Sequence, residues 1–391
     1  MNVLHLTLSA ARGGRRDAIL TLIDHLRPLG VSCGLVALRN TPLEIAELGP
    51  RTDYVAGLEF MARPSLKELR QVRQLCRDRR VDLIHAHDHG SQYVASAIRV
   101  VSPSVRAVMT FHRTLGIETE GPRNRLRNGL SLPLISRVMT ASADRRKYFI
   151  DNTLVNGGRV VVIPLGVDLQ QFRPAPAMRT AIRTELGIPA DRIVALTIGH
   201  FGPEKGLDQV LEAAGAAMRQ TNRPWHLVVL GTGDSDRAAM LRETAERLLP
   251  GQVSFMGFRT DVVRWLQGAD LLIHAPRLEA FGLVVVQAMA CGIPVIGAAV
   301  GGVPEIVIDQ VTGMLVPSGD SDRLGQEIAR VISNDEMRLR LGERALGRAM
   351  QHYDARESAR LHMALYRQIT SRSVAGPPEA DWPPPSEEQT W

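Results

Sequence analysis

Short apolar runs alternate with amphipathic stretches along most of the chain. In the first half, VLHLTLS, SCGLVALR, VDLIHAH, VRAVMTFH and ISRVMTAS have the length and apolar content of strands. Between them, DAILTLIDHLRPLG and SLKELRQVRQLCRDRR repeat apolar residues at helical spacing. GRVVVIPLGVD closes this half, and QQFRPAPAMR then has the polar, proline-rich look of a linker. The pattern restarts after it. RIVALTIGH, WHLVVLGTG, QVSFMGF, ADLLIHAP, IPVIGAA and GMLVPSG read as strands separated by helical stretches.

Strand–helix alternation, run through twice, predicts an α/β protein of two doubly wound, Rossmann-like domains facing a central cleft. Residues 1–171 make the first domain and 172–355 the second, with a helix over 356–372 expected to pack back on the first. The last stretch, 373–391, is proline-rich and acidic and reads as disordered. Open α/β sheets bind ligands at the carboxyl ends of their strands, so the loops at those ends are the places to look for chemistry.

Composition changes this picture little: 391 residues, 45% apolar, 23% charged and few aromatics are typical of a soluble globular protein. Cys33, Cys76 and Cys291 lie far apart, without the spacing of a disulfide framework or a metal site, which suits a reducing cytosol. MNVLHLTLSA reads as a first strand rather than a signal peptide, and no stretch reaches the ~18 apolar residues of a membrane span. Charge is uneven. Residues 1–170 hold 24 Lys and Arg against 15 Asp and Glu, a net of +9, and the remainder has a net of −3. This asymmetry fits two domains with different partners, or simply an arginine-rich genome, since 44 of the 47 basic residues are arginine.

Five constellations fall at predicted strand ends. Gly13-Gly14 joins the first strand to the first helix, where the backbone can approach a ligand and the helix start favours anions. Asp82, His85, His87, Asp88 and His89 follow one strand and His112 the next. In DLIHAH, His85 and His87 share a face, which leaves a metal geometrically open, but no third or fourth ligand has recognisable spacing and no metal is expected. His112 is placed for hydrogen bonding or proton transfer in the cleft.

The third constellation is IGHFGPEKG, where Gly199-His200 ends a strand and Lys205-Gly206 opens a helix. A lysine there opposes the helix dipole, so its position asks for an anion, and only three lysines occur in the chain. In GTGDSD, Gly231 precedes Asp234 and Asp236, an Asp-x-Asp that could hold a divalent metal but reads better as a capped turn. The fifth is EAFGLVVVQAMACGIPV, with Glu279 and Gln287 around a turn that opens an apolar helix, and Gly301-Gly302 and Pro304-Glu305 close behind.

Together these features resemble the retaining glycosyltransferases of family 4, which have the two-domain GT-B fold. The resemblance runs over residues 1 to about 370 and is densest in LEAFGLVVVQAMACGIPVIGAAVGGVPEIVIDQVTGMLVPSGD; it also takes in IPLGVDLQQF, IGHFGPEKG, VSFMGF and Gly13-Gly14. It implies that Lys205 holds the donor diphosphate and that Glu279 lies near the donor sugar. The backbone of Phe281, Gly282, Leu283 and Val284 would cradle sugar hydroxyls and phosphate. Gln287 would meet the ribose, Gly257 and Phe258 the base, and Gly199, His200 and Gly231 the rest of the donor. Gly13, Gly14 and His112 would come from the first domain, so catalytic roles fall to Glu279, His112 and Lys205.

Two positions depart from the family pattern. Gln287 stands where a second glutamate is usual, and His200 where arginine is usual. A glutamine carbonyl still accepts a ribose hydroxyl, but without charge assistance. Histidine replaces a permanent bidentate cation with a group charged only in part near neutral pH.

The resemblance implies transfer of a hexose from a UDP- or GDP-linked sugar to a hydroxyl acceptor, with retention and without metal or other cofactor. A sugar-nucleotide epimerase of the same fold and a nucleotide-sugar binding protein that has lost catalysis are the alternatives. Arg123, Arg125, Arg127, Arg137, Arg145 and Arg146, interleaved with Leu126, Leu130, Leu132 and Leu134, suggest peripheral attachment to an anionic membrane. A lipid-linked glycan in surface-polysaccharide assembly is then the expected acceptor. A cytoplasmic enzyme at the inner face of the cell membrane is expected, with no nucleic-acid partner.

Overall fold

In the computed structural model, residues 1–39, 47–58, 66–112 and 122–371 are described, apart from the side chains of 122–125 and 127. The chain forms two compact units, one of residues 1–166 with 355–371 and one of residues 167–354. No helix among the described residues is long and apolar enough to cross a membrane.

The first unit contains β1 (Asn2–Thr7), β2 (Ser32–Ala37), β3 (Tyr54–Gly57), β4 (Leu83–Ala86), β5 (Arg106–Phe111), β6 (Arg137–Thr140) and β7 (Val160–Val162). They form one sheet in the order β3-β2-β1-β4-β5-β6-β7, every pair parallel. β3 was not expected from the sequence. It is an edge strand of four half-buried or exposed residues ending in glycine, so it lacks the long apolar run that marks a central strand. One sheet face packs on the core around Ile98, Val72 and Phe149, the other on that around Ile23, Leu26 and Tyr366. Tyr366 belongs to the helix Ala355–Thr370, which lies against the first helix, Gly14–Leu26.

The second unit repeats the plan with β8 (Ile193–Ile198), β9 (Trp225–Leu230), β10 (Val253–Gly257), β11 (Leu271–His274), β12 (Val295–Ala298) and β13 (Gly313–Val316). Its order is β10-β9-β8-β11-β12-β13, again all parallel. β9, β11 and β12 are wholly buried, and β8 is buried up to its last residue, as sheets covered by helices on both faces require. In each sheet the order of connection reverses once, between β1 and β4 and between β8 and β11. At such a switch point the loops leave in opposite directions and open a crevice at the strands' carboxyl ends. Both crevices fall where the sequence concentrates its polar chemistry.

Candidate functional site

The β8/β11 crevice of the second unit is built by two loops. After β8, residues Pro203–Lys205 make a single tight turn, and the following helix, Leu207–Gln220, begins at Gly206. Lys205 is therefore one residue short of the helix cap rather than inside the helix start. Its side chain lies over Gly199 and reaches Glu279, with Nζ 2.9 Å from Oε2. The anion that its placement demanded is supplied by the protein itself. The Glu279 side chain is 11% exposed and that of Lys205 27%, so the pair is largely screened from water but not closed off.

His274, the last residue of β11, sets Nε2 3.3 Å from the same Oε2, an electrostatic approach rather than a well-aligned hydrogen bond. Burial alone would raise the Glu279 carboxyl, but His274 and Lys205 outweigh it and hold the group well below the usual carboxylate range. Glu279 Oε1 accepts from the Ala280 N–H at 3.0 Å, which fixes the carboxylate plane. The two loops are clamped by Arg277, bidentate to Asp208 at 2.9 and 2.8 Å and bonded to the Pro203 carbonyl at 2.7 Å.

After Glu279 the chain turns through Gly282, whose φ of 101° is open to glycine but strained for other residues, and enters the helix Leu283–Ala290. The first turn of that helix leaves N–H groups without intrahelical acceptors, a ready site for an anion. Gly301 has φ 54° and no room for a Cβ, because the Glu279 carbonyl lies against it, and Gly302 abuts Phe281 in the same way. This glycine pair lets one loop of the protein approach another. It buttresses the Glu279 turn.

In the first unit, Asp88 caps the helix His89–Val101 and also binds the loop after β1. Its oxygens accept from Ser91 N–H at 2.8 Å, Leu8 N–H at 2.6 Å and Thr7 Oγ1 at 3.0 Å. That loop leads into Gly13 and Gly14 at the start of the first helix, and no described residue would meet a Cβ at either. Arg15 lies 3.8 Å from Asp88. Beside the loop are His85, His87 and His112, joined by a residue that the sequence did not flag, His5 of β1. β1 and β4 pair with His5 opposite His85, which brings the third imidazole in from eighty residues away. Ring nitrogens of His5, His85 and His87 lie within 4.8 Å of one another. They are already engaged: His85 bonds the Tyr366 hydroxyl at 2.6 Å and Thr110 Oγ1 at 2.7 Å, and His5 Nδ1 meets His87 Nε2 at 3.0 Å.

Burial keeps these rings neutral. It lowers His5 to about 3, His362 to about 4, and His85 and His87 well below the usual histidine value; charges on neighbouring histidines add to the shift for His5, His85 and His87. His112 is likewise lowered to about 3, by burial and then by Arg15, against the opposing pull of Asp88. It lines a cavity of about 20 Å³ with His87, Thr110 and His362, room for one water molecule.

Two family models match the chain, glycosyltransferase family 4 over residues 13–171 and glycosyl transferases group 1 over residues 178–348. A D-inositol 3-phosphate glycosyltransferase of Frankia alni is 31% identical over 285 residues, 68% of this chain and 70% of that protein. The chain belongs to the group 1, family 4 glycosyltransferases. The GT-B fold is shared with Anabaena HepE in complex with UDP-glucose, at TM-score 0.83 and 24% identity over 95% of this chain and all of that one. It is shared too with sucrose-phosphate synthase of Thermosynechococcus elongatus, at TM-score 0.80 and 23% identity over 95% and 100% of the two chains.

The glycosyltransferase places its remaining sequence-flagged residues less tightly. Gly199 and Gly231 directly follow β8 and β9 and lie against each other. His200 is exposed, and its Nδ1 accepts the Gly202 N–H at 3.0 Å, so a neutral ring there carries its proton on Nε2. Gly257 closes β10, followed by Phe258 at 49% exposure, an uncovered ring available to stack. Gln287 sits half-buried on the helix Leu283–Ala290, four residues after its first residue. Asp234 caps the helix Ser235–Leu248, accepting from Arg237 N–H at 2.9 Å, while Asp236 is exposed in its first turn.

Three arginines of the basic cluster are engaged within the protein. Arg145 pairs with Asp144 and lies over the Tyr148 ring, Arg146 bonds the carbonyls of Val160 and Gly157, and Arg137 bonds that of Ser136. The side chains of Arg123, Arg125 and Arg127 fall outside the described residues. Leu126 and Leu130 are 66% and 70% exposed, whereas Leu132 is buried.

Proposed function

We propose that this glycosyltransferase moves a hexosyl group from a UDP- or GDP-linked sugar to a hydroxyl of a lipid-linked glycan, with retention of anomeric configuration and without a metal. The Lys205–Glu279 pair over the β8/β11 crevice, beside the open first turn of Leu283–Ala290, carries the reading. Transfer from such a donor creates a diphosphate leaving group, and a lysine ammonium with backbone N–H groups is the equipment that stabilises it. The anomeric bond to phosphate oxygen breaks, the acceptor oxygen bonds on the same face, and the acceptor proton passes to the departing phosphate. Glu279, held ionised, accepts from sugar hydroxyls and orients them. Gln287 accepts from the ribose and Phe258 stacks on the base.

The acceptor side of the proposal rests on charge. Residues 1–170 carry a net of +9, which favours an anionic acceptor. The relatives are named for D-inositol 3-phosphate, itself a phosphorylated polyol. Exposed Leu126, Leu130 and Leu154, near a surface groove of about 420 Å³, add apolar contacts suited to the face of a bilayer.

Thermal shift against UDP-, GDP- and ADP-sugars, followed by assay of released nucleoside diphosphate with and without EDTA, tests this. Stabilisation by a UDP- or GDP-sugar and EDTA-resistant release on adding a lipid-linked glycan is the expected result. Release only with a phosphorylated polyol would reassign the acceptor, and loss in EDTA restored by manganese would overturn the metal-free mechanism. Binding with no turnover under any condition would make the chain a nucleotide-sugar binding protein.

A further inference from the structure

The β1/β4 crevice holds more order than the binding of a sugar requires. His5 Nδ1 meets His87 Nε2 at 3.0 Å, and His87 Nδ1 meets His112 Nε2 at 3.3 Å. The rings follow one another at centroid separations of 5.3 and 5.5 Å, with interplanar angles of 16° and 30°. His85 packs on His87 at 4.0 Å and is pinned from both sides, by Tyr366 and by Thr110. The inner end of the chain is a dead end. His5 Nε2 is fully buried and has no hydrogen-bond partner among the described residues.

A neutral imidazole has one donor and one acceptor nitrogen, so in a row of neutral rings each bond dictates the next. Two arrangements satisfy both bonds. In one, every proton points inward and His5 buries an unpartnered N–H. In the other, every proton points outward and His5 buries only a lone pair. Orphaned buried N–H groups are rarer than orphaned acceptors, which selects the outward arrangement. His5 Nδ1–H then donates to His87 Nε2, His87 Nδ1–H donates to His112 Nε2, and His112 carries its single proton on Nδ1.

We propose that His87, backed by the closed end of the row at His5, is a positioning residue that locks His112 as a hydrogen-bond donor through Nδ1, serving an oxygen of the bound sugar or acceptor rather than acting as a base. The inference rests on the assignment of His112 to the sugar site. It removes His112 from the proton-transfer roles open to it: the nitrogen that could take a proton, Nε2, is occupied by His87. The acceptor proton must therefore leave by another route, which agrees with its passage to the departing phosphate. The depressed basicity of all three rings keeps a second proton from breaking the row at neutral pH.

Two measurements test it on the full-length protein. Long-range proton–nitrogen correlation spectra with ¹⁵N-labelled histidine, with His112 assigned by its loss in His112→Gln, should show Nδ1 protonated and Nε2 bare. Kinetically, His87→Phe removes the donor that occupies His112 Nε2, leaves that ring free to carry its proton on either nitrogen, and should cut kcat at least tenfold with little change in KM. His87→Asn, which returns an N–H near the Nδ1 position, should restore most of it. In a His112→Gln background, His87→Phe should change residual activity less than twofold. A bare Nδ1 on His112, or equal His87→Phe losses in both backgrounds, would overturn the proposal. If His112→Gln transfers at the wild-type rate, the sugar-site assignment fails, and the protonation pattern still decides the row.

Discussion

Lys205 Nζ stands 2.9 Å from Glu279 Oε2, so the lysine flagged as an anion ligand already has one, and the glutamate flagged as a sugar ligand already has a cation. Each loop after a switch-point strand contributes one partner, and Arg277 binds the loops together through Asp208. The pair gives the crevice a preset charge pattern. In the proposed reaction an arriving diphosphate would compete for the lysine, and the carboxylate would turn its remaining oxygen capacity to hydroxyls. The ground state is thereby organised before the donor arrives, which is how electrostatic catalysis avoids reorganisation cost.

The histidine row predicts marked acid sensitivity. A histidine that stays neutral when folded but titrates near 6.5 when unfolded binds its proton only in the unfolded state, so stability falls as pH drops below about 6.5. At pH 5 the loss is about 2 kcal/mol for each of His5, His85, His87 and His362, together comparable to the whole stability of a domain. Glu279 acts in a lower window, since a depressed carboxylate withdraws its contribution only below about pH 4.3. Melting curves between pH 7.5 and 5.0 should show a steep drop beginning near pH 6.5; a flat profile down to pH 5.0 would contradict neutral burial of these rings.

Much of this was legible in the chain. The α/β class and eleven of the thirteen strands among the described residues follow from apolar runs between helical patterns, and the family resemblance carried by the Glu279 and Lys205 motifs is borne out. What escaped the sequence is pairing across distance. His5 looks like one more strand residue until β1 aligns it with His85, and His274 like the end of a buried run until the next turn folds Glu279 back on it. Nor can sequence show that the space beside Gly301 is filled by the Glu279 carbonyl.

Gly301→Ala tests that buttress. A Cβ would collide with backbone that cannot swing aside, in a left-handed conformation that costs a further ~1 kcal/mol. Transfer should fall at least tenfold and the melting temperature of the second unit should drop by several degrees. Wild-type activity with an unchanged melting temperature would show that the Glu279 corner does not depend on this contact.

Gln287→Glu should tighten nucleotide binding or leave it unchanged, because a carboxylate accepts ribose hydroxyls with charge assistance that an amide lacks. Calorimetric titration with UDP and GDP reads it. Tenfold weaker binding in the variant would remove Gln287 from the ribose.

Lys205→Ala bears on the whole donor site. It takes the cation from the leaving group and also strands a largely buried carboxylate, so the protein should lose about 1–3 kcal/mol of stability yet remain folded. Loss of a charged clamp costs about 3 kcal/mol or more of transition-state stabilisation, hundreds-fold in rate. The deciding measurement is the rate of nucleoside diphosphate release from the native donor, in the presence of acceptor, by wild type and Lys205→Ala at a temperature where both are folded. A fall of at least a hundredfold is the predicted result. A rate within threefold of wild type would contradict the assignment of Lys205 and Glu279 to the donor site.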